Sequence, residues 1–105
     1  MSMSLVYVTT TNRDEAGRIG EVLVSENLVA SVNILGEVRS IYRWEQKIHD
    51  EKETLLIAKT STLRVEEMIE RIRSLHSYEC PCIVAWKIDT GNSSYLDWIR
   101  RETID

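Results

Sequence analysis

The sequence predicts an α+β fold of the ferredoxin-like kind: a βαββαβ unit with an antiparallel sheet, helices on one face, and a further C-terminal helix. Three observations carry this prediction. Four runs rich in β-branched and aromatic residues lack breakers, two helix-periodic stretches separate the first run from the second and the third from the fourth, and the middle two runs are joined by polar residues with no helix between them.

The first run, "SLVYVTT" at 4–10, leads into Asn12, a good helix N-cap, with Asp14 and Glu15 in the turn that follows. Ala16, Ile19, Leu23 and Leu28 then recur at roughly helical intervals, which predicts a helix from about 13 to 26. "LVASVNILGEVRSIYRWEQKI" returns to β-rich composition, with Gly36-Glu37 as a bulge or bend. "HDEK" at 49–52 reads as the polar turn of a hairpin, and "ETLLIAKT" at 53–60 as its returning strand.

The second helix is the clearest element. Val65, Met68, Ile69, Ile72 and Leu75 form one apolar stripe, with Glu66 and Glu67 early and Arg71 and Arg73 late, a distribution that suits the helix dipole. Pro81 disfavours helix at Cys80, so the helix must end before it, and "CIVAWKID" at 82–89 reads as the fourth strand, closed by Gly91. Asn92 or Ser93 caps a last helix over "SYLDWIRRE", where Ser94 and Asp97 resemble a capping box.

A sheet with helices on one face normally alternates apolar and polar residues. These strands do not: "TLLIAK" places Leu55 and Ile57 on one face and Leu56 and Ala58 on the other, and "CIVAW" is as apolar on both. The economical cover for the open face is another copy of the chain, so the residues alone predict an oligomer.

Bulk properties narrow the function classes. The 105 residues form a single domain, 1–105. A net charge of −4, with charged residues mixed along the chain, argues against a nucleic-acid partner. The start has no signal-peptide pattern and no stretch has the length of a membrane span, so the expected location is the cytoplasm with no membrane partner. Two cysteines, at 80 and 82, are too few for a disulfide framework and read as reduced thiols.

The stretches "LVASVNI" (28–34), "SIYRWEQKI" (40–48), "LLIAKT" (55–60), "LHSYECPCI" (75–83) and "YLDWIR" (95–100) together resemble the CutA family of divalent-cation tolerance proteins, over nearly the whole chain. The resemblance implies a ferredoxin-like fold, a tight homotrimer, and binding of divalent metals such as copper in response to metal ions. The chain departs from the family pattern where many members have Cys at Ser31, Gly at Gln46, Pro at Ser77, and other residues at Cys80 and Cys82. His76, Tyr78, Glu79 and Pro81 stay in register, and a metal site is to be sought around them.

The candidate metal ligands are therefore His76, Glu79, Cys80 and Cys82 in "HSYECPC". Thiolates favour Cu(I) and zinc, and copper or zinc is the expected bound ion, none being required for folding. In an extended strand the two thiols would project to one face roughly 6 to 7 Å apart, wide for a disulfide but able to converge on a metal. The alternative is two small apolar side chains on a buried strand, with His76 as a dipole partner at a helix end.

A second set, Tyr42, Trp44, Lys59 and Tyr78, is expected to line an inter-subunit cleft. Tyr42 and Trp44 share one face of their strand while Ile41 and Arg43 take the other, which also suits subunit packing. Lys59 ends an apolar strand and needs a partner such as Glu53 or Glu79, an anionic ligand, or an exit to solvent. Tyr95 and Trp98, three apart on the last helix, are expected to pack it on its own sheet or a neighbour. His49 reads as a solvated turn residue.

No nucleophile with an adjacent base and no glycine-rich phosphate loop can be read from the chain, so it is not expected to be an enzyme. The reading is a cytoplasmic homotrimer that binds metal ions and takes part in metal homeostasis. The alternative is a regulatory or scaffolding trimer that binds a small anionic ligand in the inter-subunit cleft.

Overall fold

The computed structural model describes residues 1–104. In chain order it contains β1 (Met3–Thr10), α1 (Arg13–Ser25), β2 (Ser31–Trp44), β3 (Lys47–Ser61), a 3-10 turn (Thr62–Arg64), α2 (Val65–Leu75), β4 (Ile83–Lys87) and α3 (Ser93–Ile104). The four strands form one sheet in the order β2-β3-β1-β4, and every neighbouring pair is antiparallel. Both helical stripes bury as the periodicity predicts. Ala16, Ile19 and Leu23 of α1 and Met68 and Ile72 of α2 close over Val6, Val8, Leu56 and Ala58 of the sheet. Full burial of side chains such as Met68 and Ile72 stabilises by about 1.5–3 kcal/mol each.

Local signals explain the helix ends. The Asn12 side chain accepts from the Glu15 N–H at 2.9 Å, capping α1 as expected. At the start of α3 it is Asn92 that caps, accepting from the Ser94 N–H at 3.2 Å, while the Ser94 hydroxyl also donates to Asn92. The serine is thus held by the cap residue before it, and the expected Ser94–Asp97 box gives way to an Asn92 cap.

The hairpin differs most from expectation. Its turn is Glu45-Gln46, both with positive φ (49° and 69°), and "HDEK" at 49–52 lies inside β3, paired with Arg39–Tyr42. A two-residue turn with both φ positive matches the strand twist, but its usual Asn-Gly signature is missing, so the polar run downstream reads as the turn instead. The register shift between Leu35 and Val38 places the bulge at Gly36-Glu37, as the sequence predicts. Beyond it β2 and β3 pair only with each other, forming an arm that contributes to the elongated 44 × 26 × 22 Å shape.

The sheet face opposite α1 and α2 is apolar and largely open. Leu35, Val84 and Trp86 on it are 43%, 52% and 50% exposed, and Leu5, Tyr7, Leu55 and Ile57 are half-buried. One end of this face is covered by α3. There Ile99 and Thr103 are fully buried, and the Thr103 and Ser61 hydroxyls lie 2.6 Å apart beside Met3.

Candidate functional site

The segment 76–82, which the sequence singles out, is tied to the start of α1 and the end of β1. His76 follows α2, and its N–H completes the helix by donating to Ile72. Its imidazole is fully buried, with Nε2 donating to the Thr9 carbonyl at 2.8 Å and Nδ1 accepting the Tyr78 N–H at 3.1 Å. This pattern requires the neutral ring protonated on Nε2. Glu15, itself 2% exposed, accepts from the Thr11 N–H at 2.9 Å and the Ser77 N–H at 2.8 Å. Burial opposes its charge, but the hydrogen bonds from Thr11 and Ser77 outweigh burial and hold its carboxyl below the usual range.

These anchors aim the following residues into a cleft of about 510 Å³ between the segment and the hairpin arm. The arm contributes Ser40, Tyr42, Trp44, Glu51 and Glu53. Strand β1 contributes Tyr7 and Thr9, and the segment contributes Tyr78, Glu79, Cys80 and Cys82. Tyrosine hydroxyls set two of the carboxylates: Tyr42 donates to Glu51 at 2.8 Å and Tyr78 donates to Glu53 at 2.7 Å. Burial, with Glu53 and Glu15 nearby, pushes the Tyr78 phenol up to about 12, so it remains a donor at neutral pH. Glu53 is only 7% exposed. No lysine, arginine or histidine lines the cleft among the described residues.

Several expected placements are corrected. Within the single chain Lys59 stands apart from this cleft: it lies four residues from Leu55 toward the other end of β3, and its ammonium donates to Asn33 rather than to Glu53 or Glu79, whereas the inter-subunit cleft expected around it involves a second copy. The register puts Lys59 opposite Ser31, next to Asn33 on the same face, an alignment that the misplaced hairpin turn conceals. Cys80 and Cys82 are exposed and precede β4, which begins at Ile83, so they are not residues of a buried strand. Burial nevertheless raises the Cys82 thiol above its ordinary value; a Thr9 hydrogen bond opposes this and Glu53 adds to it.

The proposed ligand set is not brought together as a whole. Both His76 nitrogens already have partners, Glu79, Cys80 and Cys82 line the cleft, and among the described residues no three His, Cys, Asp or Glu side chains converge as a metal-binding group. The Tyr95 and Trp98 rings lie tilted at 36° with centroids 5.4 Å apart, but Ile99 and Thr103 bury α3, and Tyr95 stays 42% exposed. His49 is a strand residue stacked on Tyr42 at 5.1 Å, not a turn residue. Glu15, Glu53 and Thr9 escaped the sequence reading. Glu15 reads as an ordinary first-turn acid, and Glu53 reaches the cleft only through the true hairpin register.

The fold and sequence have counterparts among known proteins. The family model described as CutA1 divalent ion tolerance protein matches residues 4–102. The divalent-cation tolerance protein CutA of Thermus thermophilus is 41% identical over 99 residues, covering 94% of this chain and 96% of that protein. The chloroplastic CutA protein of Arabidopsis thaliana is 36% identical over 94% of this chain, which spans 54% of that longer protein. Among solved structures, the Thermus thermophilus divalent cation tolerance protein superposes with a TM-score of 0.94 at 40% identity, covering 96% of this chain and 98% of that one. CutA1 from Oryza sativa gives 0.94 at 35% identity, covering 98% and 94%. With one fold, nearly full-length identity and a matching family model, this chain belongs to the CutA1 divalent ion tolerance family.

Proposed function

We propose that this chain is a non-catalytic homotrimer of the ferredoxin-like class that takes part in divalent-cation tolerance by binding metal ions in its cleft. The observation that carries the reading is the lining: three carboxylates, two thiols and no basic side chain, an arrangement that attracts cations and repels anions. The same observation disfavours an anionic ligand there, since Lys59 lies elsewhere. Glu79, Cys80 and Cys82 fit zinc or copper in donor chemistry. Because no three such groups converge among the described residues, a second copy is proposed to complete the ligand set, with His76 acting as the anchor of the segment.

The exposed apolar face of Leu35, Val84 and Trp86 supports assembly, as does the arm with Ile41 and Ile48 at 61% and 69% exposure. Two free, exposed thiols suit a reducing compartment, and the cytoplasm is proposed on that ground. No helix among the described residues is long and apolar enough to cross a membrane. The test is calorimetric titration of the reduced protein with Zn(II) and, without oxygen, Cu(I). The double variant Cys80→Ser/Cys82→Ser is expected to weaken binding at least tenfold. Unchanged affinity in that variant would reject the cleft as the metal site.

A further inference from the structure

Given the proposed homotrimer, on which this rests, we infer that Lys59 of each copy pairs with the Glu51 and Glu53 carboxylates of the next, so that opposite charges at the two ends of the open sheet face join the copies. The first observation is a polar island on an otherwise apolar face. Ser31, Asn33 and Lys59 lie together there, with Ser31 directly opposite Lys59 in the register. Lys59 donates to Asn33, a neutral acceptor, and no carboxylate pairs with it among the described residues. The Ser31 hydroxyl is buried without a hydrogen-bond partner, the one such side-chain atom among the described residues. A second copy laid over this face takes water from both donors and must supply their acceptor, and a carboxylate answers an ammonium best.

The second observation is the charge at the other end of the same face. Strand alternation puts Glu51 and Glu53 on the side of Leu55, Ile57 and Lys59. Each is held by a neutral hydroxyl, Glu51 by Tyr42 and Glu53 by Tyr78, and neither has a lysine or arginine partner among the described residues. Glu53 and Lys59 are six residues apart along β3, about 20 Å at the rise of a strand, so the two ends cannot meet within one chain. A neighbour whose Lys59 end lies against this acidic end satisfies both, whereas like ends together bury uncompensated charge. Repeated around a closed ring, the contact gives every chain both roles. It uses the arm side of the cleft and leaves Glu79, Cys80 and Cys82 to a metal ion.

The test uses the full-length reduced protein in EDTA, so that metal plays no part. Exchange of subunits between isotope-labelled and unlabelled protein is followed by native mass spectrometry for the wild type, Lys59→Met, Glu51→Gln/Glu53→Gln, and all three changes together. Both glutamines can still accept from the tyrosines, and circular dichroism checks each fold. Lys59→Met and the glutamine pair are each expected to speed exchange at least tenfold. The combined variant is expected to exchange no faster than the faster of the two, because both remove the same contact. Positions this far apart in one chain do not couple, so such non-additivity reports a contact between copies. Multiplication of the two effects in the combined variant, or wild-type exchange in Lys59→Met, would overturn the inference and leave the homotrimer standing. A wild-type protein that stays at 12.2 kDa would overturn both.

Discussion

At the scale of single residues, the least expected feature is a carboxylate that holds two parts of the chain together. Glu15 bridges the Thr11 and Ser77 N–H groups, so the start of α1 and the 76–82 segment share one acceptor. Glu15→Gln weakens two charge-assisted bonds and is expected to cost about 1 to 3 kcal/mol at neutral pH in urea unfolding. Because the folded carboxyl lies below its ordinary value, this stabilisation is full above the ordinary carboxylate range of about 4.3 and is lost as pH falls through the depressed folded value. The gap between native protein and variant is therefore expected to narrow from pH 6 to pH 3; a constant gap would contradict the assignment. A second residue-scale prediction concerns the turn. Gln46 adopts φ 69°, a region that costs a residue with a Cβ about 1–2 kcal/mol. Gln46→Gly is expected to raise the urea midpoint by an amount corresponding to about 1 kcal/mol, whereas an unchanged or lower midpoint would count against strain there.

At the scale of elements, close packing of α1 on the sheet sets the tolerance to change. A Cβ on Gly20 would lie 2.9 Å from Cγ2 of Val32, a stiff β-branched side chain. Gly20→Ala gains helix propensity of about 1 kcal/mol but overpacks the contact by about 1–3 kcal/mol, so a net loss of thermal stability is expected. Adding Val32→Ala should turn the alanine from a loss into a gain relative to Val32→Ala alone; additivity of the two changes would show that the contact is not the cause. The elements also show what sequence conveys. Helix α1 is legible because apolar periodicity agrees with its Asn12 cap and acidic first turn, α2 because periodicity agrees with charges at both ends, and the Gly36-Glu37 bulge because glycine marks it. The hairpin turn is not, because Glu45 and Gln46 carry no turn signature and tertiary pairing imposes their conformation. That single displacement hid the position of Glu53 in the cleft and the Lys59–Asn33 contact. Local chemistry marks Tyr42, Trp44 and Tyr78 as one candidate set and Glu79 and the cysteines as another, but that both line one cleft of a single chain follows only from the fold; the buried, doubly engaged state of His76 depends on Thr9, far away in sequence.

At the scale of the whole molecule, the two faces of the sheet differ. One sheet face is packed by α1 and α2, while the other leaves Trp86, Val84 and Leu35 half-exposed around a central strip of Tyr7 and Ile57. Burying such a patch between copies is the account's reason for assembly. Placing a charge on it by Trp86→Glu is expected to give a smaller species in sedimentation, with the helical circular dichroism kept; a variant that stays fully assembled would move the interface elsewhere. The central claim, that copies of this chain assemble and jointly hold metal, is tested most directly by native mass spectrometry of the reduced protein equilibrated with Zn(II). The account predicts a species of about 37 kDa, three times the 12.2 kDa chain, carrying one zinc ion per chain that is lost in Cys80→Ser/Cys82→Ser. A 12.2 kDa species, or a trimer that takes up no zinc, would contradict it.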